Sequence, residues 1–284
     1  MENGTSGFQR FREKRKELES KKHDKTPEEI ERTKRELGER DVRWFNEAEG
    51  DRKELNCPKC RNKGIVAFLT EDGYLSTKPC ECAKKRDAVN RIRKSGLSHA
   101  FKNYTFQNFR RDEPYQKEMA EKAVHYLRDS ERKDWFYIGG QVGCGKTHIC
   151  TAMCRKLIAR HKDVIYMQWV KDAGRLKAIK NECEYQTEAG KLMNCDVLYI
   201  DDFFKTETGK APTSGDVNLA FEIINHRYIN RLQTIISSEK MIDEILDIDE
   251  ATGSRIRELC AGFIISVARK PGRNMRLNME GEVC

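Results

Sequence analysis

The chain has 284 residues, enough for about two domains, and its 54 basic and 46 acidic residues give a net charge of +8. A mean hydropathy of -0.80 is polar for a globular protein, so part of the chain is expected to carry charge without a core. The basic excess suits a polyanionic partner. Since the sequence has no apolar stretch of about 20 residues and no apolar signal core, we expect a cytoplasmic protein without membrane contact.

Cysteine is abundant, with 11 residues, yet the pattern argues against disulfide bonds. The total is odd, and Cys144 lies inside a glycine-rich loop of a type found in intracellular proteins. Both features favour a reduced compartment over a disulfide framework.

Residues 1–55 carry alternating charges that nearly cancel. Thr26, Pro27 and Glu29 form a helix-start signal, in which threonine caps the helix and glutamate returns the capping-box hydrogen bond. Apolar positions are sparse after this signal, which predicts a charged helical arm. The arm is either a solvated or flexible segment or a docking helix for a partner.

Residues 56–86 contain two cysteine pairs separated by a strand-like run and a turn. A hairpin would bring the pairs together as a tetrahedral zinc site. The predicted zinc ligands are Cys57, Cys60, Cys80 and Cys82. The close spacing of the second pair is less usual, and incidental free thiols are the alternative. A closed site of this kind stabilises a small domain and performs no chemistry.

Residues 87–133 are interpreted as a basic connector with scattered aromatic residues, and residues 134–284 as a separate α/β domain. In the latter, short apolar runs alternate with helical patterns. Strands are predicted over 135–138, 164–169, 197–200, 234–237 and 263–267, and helices near 147–161, 170–188, 214–231 and 241–260. This alternation predicts a parallel five-stranded sheet flanked by helices.

A glycine-rich loop over residues 140–147 lies between a predicted strand and a predicted helix, the context of a phosphate-binding loop. Glycines let backbone N–H groups approach a β-phosphate, and the helix N-terminus adds positive charge. Lys146 would reach the β- and γ-phosphates, and Thr147 would ligate Mg²⁺. The predicted nucleotide-binding residues are Gly140, Val142, Gly143, Cys144, Gly145, Lys146, Thr147, His148 and Asp201.

Asp201 and Asp202 directly follow the predicted strand over 197–200. In a parallel sheet this strand end and the glycine-rich loop open at the same edge, so both can contact one nucleotide. Asp201 would hold Mg²⁺ through its water shell, and Asp202 would polarise the attacking water. A solvated acidic turn is the alternative.

These motifs, with segments 222–228, 234–239, 253–256 and 272–277, resemble the AAA+ helicase loaders of the DnaC/DnaI type and the related IstB transposition helpers. The resemblance covers about residues 100–284, or 56–284 with the cysteine unit, and looks most like loaders of phages and prophages of Gram-positive bacteria. It implies an AAA+ P-loop ATPase with ATP, Mg²⁺ and Zn²⁺ as cofactors. It also implies little or no helical lid, and a zinc module in the region that handles the helicase.

The resemblance further implies roles for individual residues. Ser238 lies where the family's sensor strand ends, but Glu239 follows where an asparagine normally orients water, so unstimulated hydrolysis is expected to be slow. Arg255 matches an arginine finger that reaches the neighbouring subunit, and Arg276 resembles a second sensor; ordinary surface arginines are the alternative. The predicted catalytic residues are Lys146, Asp202, Ser238, Arg255 and Arg276. A finger acting in trans requires self-association through the ATP sites.

A basic group follows the predicted strand over 164–169, where the resemblance places a helical insertion that lines a channel for single-stranded DNA. Its members are Lys171, Arg175, Lys177 and Lys180. The alternative is a solvated basic helix face. The aromatic residues Tyr104, Phe106 and Phe109 are expected to pack under the core or beside adenine.

The function implied is that of an ATP-dependent replication protein that binds the replicative hexameric helicase and loads it onto single-stranded DNA. An IstB-like transposition helper, which binds duplex DNA and a transposase, is one alternative. The zinc unit and the charged arm favour the loader, because the helper resemblance begins near residue 100. An ATP-switched adaptor with little turnover is the other alternative, and Glu239 keeps it open.

Overall fold

The computed structural model describes residues 26–52, 56–93, 103–129, 134–207 and 210–277. The chain divides into two compact units, residues 1–83 and residues 84–284. Our expectations for residues 1–25 of the charged arm, and for parts of the basic connector, lie outside the described residues. None of the helices in the described ranges combines the length and the apolar composition that a membrane span requires.

The first unit contains one helix and one hairpin in its described part. Helix α1 (Pro27–Glu47) begins with the predicted capping box: the Thr26 hydroxyl accepts from the Glu29 amide, and the Glu29 carboxylate accepts from the Thr26 amide. Strands β1 (Ile65–Leu69) and β2 (Leu75–Pro79) pair antiparallel. The predicted helix start is therefore confirmed.

Helix α1 packs against the hairpin at two positions. The Asn46 side chain donates to the Ala67 carbonyl and accepts from the Ala67 amide, both at 2.9 Å, and so satisfies backbone groups of β1. A Cβ at Gly38 would lie 2.4 Å from Leu69 Cδ1, so glycine is required for the close approach of helix and hairpin. The residues that we interpreted as a charged arm thus cover one side of the hairpin.

The second unit is built on a parallel sheet. Helices α2 (Cys82–Ile92) and α3 (Pro114–Tyr126) precede it in the chain. The strands are β3 (Phe136–Gly140), β4 (Val164–Gln168), β5 (Val197–Asp201), β6 (Gln233–Ser237) and β7 (Ile264–Val267). Their order is β4-β5-β6-β3-β7, and every neighbouring pair is parallel. The predicted five-stranded parallel sheet is confirmed.

The remaining helices connect the strands. They are α4 (Lys146–Ala159), α5 (Trp169–Ala178), α6 (Cys183–Asn194), α7 (Ser214–Ile229), α8 (Ile242–Ile248) and α9 (Glu250–Leu259). The predictions of single helices over 170–188 and 241–260 were wrong, because each range holds two helices. The Asp249 carboxylate accepts from the Thr252 amide and starts a new helix, and the Glu182 amide donates to the Ile179 carbonyl in a tight turn.

Both faces of the sheet are buried, which leaves its edge for function. Along β3, Phe136 and Ile138 belong to one hydrophobic cluster, whereas Trp135 and Tyr137 belong to the cluster on the opposite face. Strand β6 lies between β3 and β5. Since the strands are parallel, the ends of these three strands meet at the carboxyl edge of the sheet, where ligands of such folds bind.

Candidate functional site

The glycine-rich loop leaves β3 and turns directly into α4. Gly140, Gly143 and Gly145 have φ values of 114°, 73° and 99°, which side chains rarely tolerate. A Cβ at Gly143 would lie 1.9 Å from Asn274 Oδ1, so a side chain at this position is excluded by a steric clash as well as by the backbone conformation. Conformation and packing thus both demand glycine, and the amides of the loop and of the first turn of α4 form a concave anion-binding surface.

Lys146 lies within this loop rather than extending into solvent. Its ammonium donates to the Gly140 carbonyl at 2.9 Å and to the Gln141 carbonyl at 2.7 Å, and the residue is 7% exposed. These partners are neutral, so the positive charge stays available to a polyphosphate that approaches the loop. The neighbouring Cys144 thiol is neutral, because burial raises its pKa.

Asp201 is the centre of a hydroxyl cluster at the end of β5. Its carboxylate accepts from Thr147 Oγ1 at 3.2 Å, from the Tyr199 hydroxyl at 2.8 Å and from the Tyr166 hydroxyl at 3.1 Å. The Ser237 hydroxyl also donates to it. The carboxylate is only 6% exposed, and these donors satisfy it at a fixed position.

Three of these donors, Tyr166, Tyr199 and Ser237, were missed in the sequence analysis. They come from three adjacent strands, and Tyr166 lies directly opposite Tyr199 in the pairing of β4 with β5. A hydroxyl inside an apolar strand was the only available signal. It becomes informative only when the order of the strands is known.

The oxygen atoms of Thr147 and Asp201 fit a magnesium site. Both are hard oxygen donors: the Thr147 hydroxyl would ligate the ion, and the Asp201 carboxylate, 3.2 Å from that hydroxyl, would hold the ion through its water shell. A bound Mg²⁺ would neutralise charge on the β- and γ-phosphates. The structure therefore brings together the residues predicted for phosphate and magnesium binding.

Asp202 and Glu239 share a lysine that we had not predicted. Lys205 Nζ lies 3.0 Å from Asp202 Oδ2 and 2.7 Å from Glu239 Oε1. Asp202 has a φ of 56° and is half-buried. The hydroxyl of Ser238, by contrast, donates to the Phe203 carbonyl and accepts from the Lys240 amide, so it braces the backbone at the end of β6.

His148 at the start of α4 is covered by residues of the segment 87–133, which we interpreted as a connector. Its ring stacks on Tyr104 with a centroid distance of 4.5 Å, and Phe109 contacts it edge-on at 5.1 Å. His148 Nε2 is also 2.9 Å from the Thr105 carbonyl. Burial lowers the pKa of His148, so the ring is neutral at pH 7. Of the three aromatic residues expected to pack under the core or beside adenine, Phe106 and Phe109 are buried in the core, and Tyr104 stacks on His148.

Arg255 is held away from its own chain's loop. Its Nε donates to Asn225 Oδ1 at 3.1 Å, and its guanidinium carbon lies 5.2 Å from the Phe221 ring and 5.5 Å from the Tyr228 ring. These partners belong to α7, on the surface of the same subunit.

The segment after β7 returns to the glycine-rich loop. The Gln141 side chain forms two hydrogen bonds with the Lys270 backbone, at 2.8 and 3.0 Å, and the Met275 amide donates to the Gly143 carbonyl. Arg276 is exposed, and its amide donates to Asn274 Oδ1. Residues 268–277, the described part of the segment after β7, contain no helix.

The basic group beside α5 is partly neutralised. Arg175 pairs with Glu188, and Lys177 pairs with Asp216 at 2.5 Å. Lys171 is exposed on α5, whereas Lys180 lies beyond the end of the helix, contrary to our expectation. The four residues are near one another in the chain, but two of them are engaged with acidic side chains.

The four cysteines of the first unit form one buried cluster. Their sulfur atoms all lie within 4.8 Å of one another, with 3.9 Å between Cys57 and Cys80 and 3.5 Å between Cys60 and Cys82. Tetrahedral zinc with bonds of about 2.3 Å requires about 3.8 Å between sulfurs. Burial raises the pKa of Cys60, but hydrogen bonds, first that from the Gly64 amide, lower it to about 6. The cluster therefore fits zinc, and all ten cysteines in the described ranges are outside disulfides.

Fold and site together define an α/β P-loop protein of the AAA+ type, with a cysteine cluster that could bind zinc. The family described as IstB-like ATP binding protein matches residues 78–249, more than half of the chain. The chain belongs to the IstB-like ATP-binding protein family.

The chain is also similar to individual proteins. YqaM of Bacillus subtilis (strain 168), described as an uncharacterized protein, is 31% identical over 86% of this chain and 92% of its own length. XkdC of the same organism, a protein of the phage-like element PBSX, is 30% identical over 78% of this chain and 85% of its own. The DnaC helicase loader structure has a TM-score of 0.51 at 17% identity, over 60% of this chain and 98% of that chain, and supports the fold alone.

Proposed function

We propose that this protein is an ATP-dependent DNA replication factor that loads the replicative hexameric helicase onto single-stranded DNA. The observation that supports the proposal is the contact of Thr147 with Asp201 beside the Lys146 loop, an arrangement that suits a triphosphate with magnesium. The fold shared with a helicase loader, and a zinc-type module ahead of the ATPase, favour this function. Such a factor would act in the cytoplasm.

The ATPase role assigns a task to each part of the site. Lys146 and the loop amides hold the β- and γ-phosphates, and Thr147 and Asp201 hold the magnesium ion. Asp202 orients the attacking water and receives its proton, while the oxygen bridging the β- and γ-phosphates leaves with ADP. Arg276 lies on the segment that touches the loop and would contact phosphate within its own subunit.

We assign Arg255 the role of a finger for a neighbouring subunit. To reach another active site, its guanidinium must leave the rings of Phe221 and Tyr228, so subunit contact and turnover are coupled. Cation–π contacts at exposed sites contribute only about 0.5–1 kcal/mol, so a phosphate can displace them. Self-association through the ATP sites is therefore part of the proposed mechanism.

Arg255→Ala is expected to keep nucleotide binding and to lose about 1,000-fold in turnover, the range found when an arginine finger is removed. Steady-state ATP hydrolysis and fluorescent-nucleotide titration measure the two effects. Arg257→Ala is the matched control, because Arg257 is on the same helix and only pairs with Asp243 at the surface. Full turnover by the Arg255 variant would remove the trans site from the mechanism.

Loading itself is tested with the full chain and the replicative helicase of its host. The proposal predicts co-elution of the two proteins, and ATP-dependent transfer of the helicase onto circular single-stranded DNA that lacks free ends. The exposed lysines Lys171 and Lys180 would contact the strand, with Arg175 and Lys177 exchanging their acidic partners for phosphate. If the helicase does not bind, the alternative function of a transposition helper is favoured, because the sequence matches the IstB-like family.

An ATP-switched adaptor with little turnover is the second candidate, and one observation favours it. Lys205 pairs with Asp202 at 3.0 Å, so this carboxylate is engaged in an ion pair rather than free to contact the attacking water. Hydrolysis assays with and without single-stranded DNA separate the candidates. An enzyme shows multiple turnovers that DNA or the helicase accelerates, whereas the adaptor binds ATP and releases it unchanged.

A further inference from the structure

Lys205 stands at the carboxyl edge of the sheet between two carboxylates. Its ammonium is 3.0 Å from Asp202 and 2.7 Å from Glu239, and all three side chains are between one quarter and two fifths exposed. Asp202 follows β5 and Glu239 follows β6, the strand that lies between β5 and β3. The lysine therefore lies beside the end of the central strand, at the edge where the Lys146 loop also opens.

The backbone that carries Lys205 is anchored on both sides. The Phe203 amide donates to the Ser237 carbonyl at 2.9 Å, and the Phe203 carbonyl accepts from the Ser238 hydroxyl at 2.7 Å. The Phe203 and Phe204 rings are fully buried against Trp169, at centroid distances of 4.9 and 5.4 Å. Residues 202–205 are thus fixed to β6, so Lys205 projects from a rigid support.

The carboxyl edge of the sheet carries negative charge that a cation can balance. Asp201, Asp202 and Glu239 bring three carboxylates to neighbouring strand ends, and they would repel a triphosphate. Burial lowers the pKa of Lys205, but hydrogen bonds to Glu239 and Asp202 outweigh it and raise the pKa, so the amine is protonated at neutral pH. An ammonium has three N–H donors, and the two described carboxylates take two of them.

We propose that Lys205 is a γ-phosphate-sensing residue, which Glu239 orients so that its third N–H donates to the terminal phosphate of a bound nucleoside triphosphate. ADP lacks that phosphate, so Lys205 would separate the two nucleotide states. Glu239 then serves as the anchor of the donor, although it cannot donate itself. The inference rests on the proposed ATP site and deepens it by naming the residue that reads the γ-phosphate.

Lys205→Met tests the inference through binding rather than hydrolysis. Fluorescent ADP and a fluorescent non-hydrolysable ATP analogue are titrated into the full chain with Mg²⁺. A charge-assisted hydrogen bond to phosphate is worth roughly 10-fold or more in affinity, so the analogue should bind about 10-fold more weakly while ADP changes by less than about 2-fold. Lys210→Met is the matched control, since Lys210 follows in the same loop and pairs with exposed Glu207.

Two further variants separate sensing from support of the loop. Lys205→Arg keeps a cationic donor and should retain most of the preference for the triphosphate, and Glu239→Gln should lose part of it because one anchor is uncharged. An equal loss for both nucleotides in Lys205→Met, or no loss for either, overturns the inference. If the parent protein binds neither nucleotide, the proposed ATP site itself fails, which is a different result.

Discussion

Removal of zinc from the full chain by a strong chelator is expected to unfold the first unit and to leave the sheet of the second unit folded. Beyond its cysteines, the described part of the first unit fully buries one apolar side chain, Ala67, and its other inward-facing apolar side chains are only partly buried: Leu37, Val42, Phe45, Val66 and Leu69. So small a core cannot hold a hairpin and a helix together without help. Structural zinc supplies about 10–16 kcal/mol in small zinc domains, far more than this core offers.

The experiment combines metal analysis with proteolysis. We expect one zinc per chain, and protease cleavage within residues 27–83 only after chelation. Cys60→Ser should reproduce the cleavage pattern without a chelator, whereas Cys183→Ser, which changes an exposed cysteine of α6, should not. A purified chain that lacks metal and still resists protease in this unit would refute the zinc assignment.

Arg227→Met is expected to lower the free energy of unfolding of the second unit by about 4 kcal/mol, the usual cost of leaving partners of a buried charge unsatisfied. The Arg227 side chain is fully buried. It donates to the carbonyls of Leu192, Met193 and Cys195 at the C-terminal end of α6, and also to the Gln233 carbonyl and the Thr234 hydroxyl in β6. One guanidinium thus joins the end of α6 to β6.

Urea unfolding without nucleotide measures the loss. Arg231→Met, at the exposed C-terminal end of the same helix, is the control and should cost less than about 1 kcal/mol, as surface ion pairs do. Methionine retains most of the apolar stem of arginine, so the difference reports the loss of the guanidinium and its hydrogen bonds rather than the loss of stem packing. Equal urea midpoints for the two variants would show that the carbonyls bonded by Arg227 accept hydrogen bonds from other donors when it is absent.

The parts of the fold that follow from local patterns could be predicted. The five strands are apolar runs bounded by polar residues, and the cysteine spacing indicates a hairpin that joins two pairs. Gly143 and Lys146 belong to a loop whose chemistry fixes both residue type and position. These features depend on residues that are close in sequence, so the single amino-acid sequence was sufficient to identify them.

The missed features depend on contacts between distant segments. Lys205 reaches Glu239 only because β6 lies between β3 and β5, an order that no short pattern encodes. The hydroxyl cluster around Asp201 likewise draws Tyr166 and Ser237 from separate strands. The packing of α1 was also missed, since Gly38 reads as a weak point in a helix until the hairpin that it contacts is known.

The central claim, that the loop around Lys146 holds a nucleoside triphosphate with magnesium, is tested most directly by titrating a fluorescent ATP analogue into the full chain and its Lys146→Ala variant. Lys146 contributes the buried positive charge of the loop, so we expect saturable binding by the parent and a loss of about 100-fold or more in the variant. Circular dichroism of both proteins establishes that the variant is folded. Equal affinity of the two proteins would show that this loop does not hold the triphosphate.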